Sequence, residues 1–106
     1  MWLCLNDAFV SVVQDKKFAN LLCVRARKEK HLRVLFPDKK ITKTMKSDYR
    51  WRTWVSREEM AKLVSERVMG INYGNFKNSV MDDELHGLYA KFWQDHWRYQ
   101  NYGRKE

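Results

Sequence analysis

The segment Asp48-Tyr49-Arg50-Trp51-Arg52-Thr53-Trp54 interleaves guanidinium and aromatic side chains. Guanidinium forks pair bidentately with phosphate, and aromatic rings stack on bases. Along an extended strand, successive side chains point to opposite faces. Tyr49, Trp51, Thr53 and Val55 then share one face, and Arg50, Arg52 and Trp54 the other. Leu22, Val24 and Ala26 alternate in the same way with Cys23, Arg25 and Arg27. If helices cover the Trp51 face, Arg25, Arg27, Arg50 and Arg52 line the opposite face as an anion cradle, with Tyr49 or Trp54 available for stacking. The plainer reading is a solvated strand face whose arginines pair with Asp7 and Asp48, with Trp51 in the core.

Two further stretches suit an anion. Asn72-Tyr73-Gly74-Asn75-Phe76-Lys77-Asn78 is a Gly-containing turn before a helix. Backbone N–H groups there, with Asn75 and Lys77, can meet a phosphate. The glycine spacing of a P-loop or dinucleotide fingerprint is absent, so a plain helix connection competes with this reading. The basic loop that includes Lys39, Lys40 and Lys43 can track a phosphate backbone or simply be solvated.

Catalytic chemistry finds little support. His86 and His96 lie ten residues apart, too far for an i, i+4 metal pair, and His31 opens a basic helix. His96 falls on an apolar stripe, the place of a core or edge histidine. Asp82-Asp83-Glu84 suits a helix start better than a metal. No nucleophile elbow, zincin pattern or carboxylate pair is present. No metal and no cofactor is expected, and the chain reads as a non-enzyme. A small metal-independent ribonuclease, assembled from a histidine and scattered arginines, is the remaining enzymatic reading. Cys4 and Cys23 lack zinc or redox spacing and read as two small buried thiols with no disulfide.

The elements that must hold these residues follow from patterning. Leu3 to Gln14 reads as one long strand, apolar on both faces, with a bulge or bend at Asn6-Asp7. A turn over Asp15 to Asn20 leads to a second strand, Leu21 to Arg27. Glu29 to Phe36 has helical spacing and stops before Pro37. Residues 38–47 read as an exposed loop with a short extended piece near Ile41, and Tyr49 to Val55 as the third strand. Ser56-Arg57-Glu58-Glu59 is a capping box opening a helix that carries Met60, Leu63, Val64 and Val68 and ends at Gly70. A last helix starts near Asp82 and carries the stripe Leu85, Leu88, Tyr89, Phe92, Trp93, His96, Trp97. The expected fold is α+β in the order β-β-α-β-α-α. Its three-stranded, mostly antiparallel sheet has the first strand central and the third parallel to the second. Both C-terminal helices pack on one face. Residues 1–106 form a single domain with a frayed tail over about 99–106.

Charge narrows the partner. The 106 residues carry a net charge of +8, and it is unevenly spread. Residues 1–57 hold 14 basic and 5 acidic side chains, net +9, whereas residues 58–106 hold 7 and 8, net −1. One electropositive surface drawn to polyanions accounts for this, as does simple solubility. No stretch is apolar enough to span a membrane and no signal peptide is evident, so a cytoplasmic location is expected. The expected partner is a nucleic acid or a nucleotide. An acidic protein or a homo-oligomer is the alternative, with spare aromatics such as Trp54, Tyr99 and Tyr102 at the interface.

Several phrases occur together in order. They are Met1-Trp2 with Phe9-Val10-Ser11-Val12, Val24-Arg25-Ala26-Arg27, Asp48-Tyr49-Arg50-Trp51-Arg52, Ile71-Asn72-Tyr73-Gly74-Asn75-Phe76-Lys77, and Tyr89 through Trp93. In this combination the chain resembles a group of small bacterial and phage-associated proteins with no established activity. The resemblance covers most of the chain and assigns no residue a role. It implies an accessory protein that blocks host defence by capturing a nucleotide signal, a nucleic acid or a protein effector.

Overall fold

The computed structural model describes residues 1–102. Five strands, β1 (Trp2–Cys4), β2 (Phe9–Gln14), β3 (Leu21–Ala26), β4 (Thr42–Lys43) and β5 (Trp51–Ser56), form one sheet in the order β1-β2-β3-β5-β4, with every pair antiparallel. Three helices, α1 (Glu29–Leu35), α2 (Arg57–Met69) and α3 (Asp83–Gln100), complete the fold, with a 3-10 turn at Lys77–Ser79. The α+β class and the antiparallel character agree with the sequence reading. The strand number and order do not.

Three corrections share a physical origin in how the chain turns. The expected first strand is two, because Asn6-Asp7 is a hairpin turn closed by Leu5 N–H donating to the Ala8 carbonyl at 2.9 Å. β2 is covered on both faces as its two apolar sides require, but β1 rather than β5 is its second neighbour. α1 does not return the chain for a parallel strand. It delivers the chain to the far sheet edge, where two residues of β4 pair with β5, and β5 runs back antiparallel beside β3. The short extended piece expected near Ile41 is this edge strand.

The C-terminal helices do not share a face. Val10, Val12, Val24, Ala26 and Val55 pack with Leu32 and Leu35 of α1 and Met60 of α2. α3 covers the opposite face over β1 and β2, where Phe9, Val80, Leu85 and Tyr89 form a second, smaller core. The chain crosses between the faces in the connector after Gly70. Tyr73 there lines a cavity with Leu3 and Leu5, and Phe76 lines another with Cys4.

The helix starts behave as the sequence demands. The Ser56 hydroxyl accepts from Glu59 N–H, and the Glu59 carboxylate accepts from Ser56 N–H, completing the capping box. Asp82 caps α3 through Leu85 N–H and pairs with Lys30 of α1. The lysine first and that N–H second hold the Asp82 carboxyl at about 2. The far ends are less enclosed. Val68 and Met69 of α2 are exposed, as are Trp93, Trp97 and Tyr99 of α3. α3 runs through Tyr99 and Gln100, and of the tail expected over about 99–106, residues 103–106 lie outside the described residues.

His31 sits in the core rather than on a basic surface. It is 7% exposed, and its Nδ1 accepts from Phe9 N–H at 3.3 Å. Burial, the larger influence, holds its pKa below the ordinary 6.5. Below the ordinary value the unfolded chain binds a proton that the folded chain does not, so stability falls as pH drops. We expect the Tm of the protein to decline between pH 7 and pH 5. The decline should be shallower in His31→Gln, as measured by thermal denaturation monitored by circular dichroism. A wild-type Tm that is flat over this range would contradict the assignment.

Candidate anion-binding face

β3 and β5 are direct neighbours, and their register places Arg25 opposite Arg52 and Cys23 opposite Trp54. Trp51, Thr53 and Val55 face α1 and α2, so Arg25, Arg52 and Trp54 project from the opposite face. α3 covers that face only over β1 and β2. Two guanidiniums therefore meet side by side across adjacent strands, an arrangement that costs stability without a counter-charge. Among the described residues none of Arg25, Arg27, Arg50 or Arg52 forms an ion pair with a carboxylate. The acids expected to neutralise them are engaged differently. Asp7 makes a bidentate pair with Arg67 of α2 at 2.9 and 3.0 Å, and Asp48 offers only its backbone carbonyl to Arg27.

The residues that do satisfy these arginines are neutral. Arg25 Nη2 donates to the Ser11 hydroxyl at 2.8 Å. Arg52 Nη2 donates to the Ser47 hydroxyl, and its Nη1 approaches the Cys23 thiol at 4.0 Å. The Nε–H groups of both Arg25 and Arg52 are buried with no partner. Burial pushes the Cys23 thiol up, and the nearby Arg52 and Arg25 oppose that without reversing it. Cys23 is therefore a protonated, buried neighbour rather than a nucleophile. Cys4 is an exposed thiol, which corrects the expectation of two buried ones, and neither forms a disulfide.

Tyr49 stands on this face, not beside Trp51. It precedes β5 in the turn Thr44–Arg50, held by Thr44 N–H on the Arg50 carbonyl, and so escapes the strand's alternation. Its ring is 5% exposed, with the Arg25 and Arg27 guanidinium carbons 4.6 and 4.4 Å from its centroid. Its stacking capacity is thus taken by the arginines, and it supports them instead of meeting a base. Trp54 is 38% exposed, and its indole N–H donates to Asp15 Oδ1 at 2.9 Å, which fixes the ring beside the arginines. Arg27 and Arg50 are exposed, and the Arg50 guanidinium has no partner among the described residues.

The other predicted residues are not gathered here. Lys39 pairs with Glu59 at 3.0 Å on the α2 side. Lys40 is exposed beside it, and its carbonyl accepts from Thr53. Lys43 lies over the Trp51 ring at 5.3 Å, on the helix-covered face. Asn75 accepts from Asn78 N–H, and Lys77 lies over Trp93 at 4.5 Å, both beside α3. Sequence reasoning placed Cys23 on the face of the arginines but missed Ser11 and Ser47 as their neighbours. Strand alternation marks Cys23 and Ser11, but nothing local marks Ser47, which reaches Arg52 through a turn.

No protein-family model matches the chain, and neither a curated protein nor a solved structure matches it. Among the described residues no helix is long and apolar enough to cross a membrane.

Proposed function

We propose that the protein is a non-enzymatic binding module for a phosphate-bearing ligand, a nucleic acid or a nucleotide, held on the arginine face. One observation carries this reading. Arg25 and Arg52 are opposed across two strands, no carboxylate of the described residues pairs with them, and each keeps a buried Nε–H unsatisfied. Like charges opposed without a counter-charge are costly, and a phosphate on the outer guanidinium nitrogens supplies the missing negative charge. The exposed Arg27 and Arg50 extend the positive field outward, and Trp54 offers a ring at its edge.

Fluorescence anisotropy against labelled single- and double-stranded oligonucleotides tests the reading. With four phosphates neutralised, affinity for a single strand should fall about 50-fold between roughly 50 and 200 mM salt. Replacing the exposed pair, Arg27→Ala with Arg50→Ala, should weaken binding more than tenfold while leaving the fold intact. Unchanged affinity in that variant would remove the arginine face as the site.

A second reading, a phage or mobile-element accessory protein acting through protein contact, draws on α3. Trp97 and Tyr99 near its C-terminal end are exposed, and interface cores are rich in such rings. Light scattering after size exclusion distinguishes the homo-oligomeric form of this reading: a monomer at high concentration speaks against it.

A further inference from the structure

On the far side of α3 from the arginines, the connector that rounds the sheet edge faces the helix across a cavity of about 400 Å³. Its volume is that of a small-ligand site. Its walls are aromatic. Phe76 packs on Tyr89 at 5.2 Å between ring centroids, and Tyr89 on Phe92 at 6.0 Å. Trp93 follows on α3, 55% exposed. The Tyr89 hydroxyl is used by the Leu5 and Ala8 carbonyls, so this residue presents only its ring to the cavity.

The polar groups at the rim are Lys77 and Asn75, which can donate, and His96, whose ring can donate or accept. Lys77 lies over the Trp93 ring, and the Asn75 side chain, whose oxygen accepts from Asn78 N–H, has its amide nitrogen left to donate. Among the described residues no carboxylate lines the cavity. Cys4, exposed as a residue, also lines the cavity, and partial desolvation on that side raises the pKa of its thiol. Tilted aromatic walls with a lysine at one end and no acid among the described lining residues select a flat, electron-rich body bearing an anionic group.

We propose that this cavity is a binding site for a planar aromatic anion, whose ring replaces the Lys77 ammonium over Trp93 beside Phe92 while that ammonium swings out to meet the phosphate or carboxylate. The site stands on residues separate from the arginine face and does not depend on the reading given to that face.

An NMR titration of the ¹⁵N-labelled protein with adenosine monophosphate, adenosine and indole-3-carboxylate tests it. The two anions should shift the amides of residues 74–77 and 92–96, with at least one Kd near or below about 1 mM. Adenosine, lacking the charge, should bind at least fivefold more weakly than its monophosphate. The tighter-binding anion identifies phosphate or carboxylate as the natural group. Trp93→Ala should weaken the anions at least tenfold, and Lys77→Gln should erase the difference between adenosine and its monophosphate. No shift at these amides with any probe at about 5 mM would overturn the proposal. So would shifts confined to residues 23–27 and 47–54, or affinities unmoved by both substitutions.

Discussion

Arg52→Met is expected to raise the Tm of the ligand-free protein and, at the same time, to abolish its stabilisation by added phosphate-bearing ligand. The two halves of this result come from one cause. In the wild type, Arg52 stands opposite Arg25, with no carboxylate of the described residues at ion-pair distance and an unsatisfied Nε–H. A desolvated donor costs about 1–3 kcal/mol and a like-charge cross-strand pair up to about 1 kcal/mol. Methionine keeps the apolar stem and removes both penalties. The hydrogen bond to Ser47 is lost, which offsets part of the gain. A net stabilisation of about 1 kcal/mol corresponds to a Tm increase of about 4–8 °C for a domain of this size. Ligand behaves in the opposite sense. At a concentration one hundred times its Kd it stabilises a binding-competent protein by about 2.7 kcal/mol. Loss of one of the two central guanidiniums should reduce that increment to near zero at the same concentration. Differential scanning fluorimetry with and without a short oligonucleotide reads both effects. A variant that loses stability without ligand would show that Arg52 is a structural residue, held for its contacts with Ser47 and Cys23.

How much of this was legible beforehand differs by element. The phases of β3 and β5 follow directly from alternation, because each strand has one apolar face and a one-residue slip would expose it. Arg25, Arg52 and Trp54 could therefore be placed on a common face without knowing the strand order. The order itself was not legible. It depends on α1 delivering the chain beyond β5 to a two-residue edge strand, and two residues carry no period. The hairpin at Asn6-Asp7 was hidden because β1 and β2 are both apolar and read as one run. Tyr49 escapes for a related reason: alternation counted from Tyr49 starts two residues before β5 does. The stripe on α3 was correct as a helix but misleading as a core. Its apolar face continues through Trp93 and Trp97, whereas the sheet beneath supports it only as far as Phe92. The protein is elongated as a result, 49 Å along its longest axis with a radius of gyration of 15.6 Å, against about 13 Å for a compact domain of similar length.

Tyr89→Ala should release α3 from the sheet before the rest of the protein unfolds. Only Leu85 and Tyr89 are buried on this 18-residue helix. The Tyr89 ring touches Phe9, Phe76 and Phe92, and its hydroxyl lies 2.9 and 3.0 Å from the Leu5 and Ala8 carbonyls at the two ends of the β1–β2 turn. One side chain thus ties the last helix to the first hairpin. Deleting a buried aromatic side chain costs about 3–5 kcal/mol. Tyr89→Phe, which removes only the hydroxyl, should cost about 1–2 kcal/mol. The larger loss is not shared evenly. The core between the sheet and α1 and α2 contains no α3 residue, so it can persist while α3 detaches as a separate cooperative unit. Native-state hydrogen exchange should show α3 amides losing protection in Tyr89→Ala while those of β3 and β5 retain most of theirs. If α3 and β3 amides instead opened at one common free energy, the two cores would be a single cooperative unit. The ties from Lys30 to Asp82 and from Lys28 to Glu84 between α1 and α3 would then be the first candidates for the coupling.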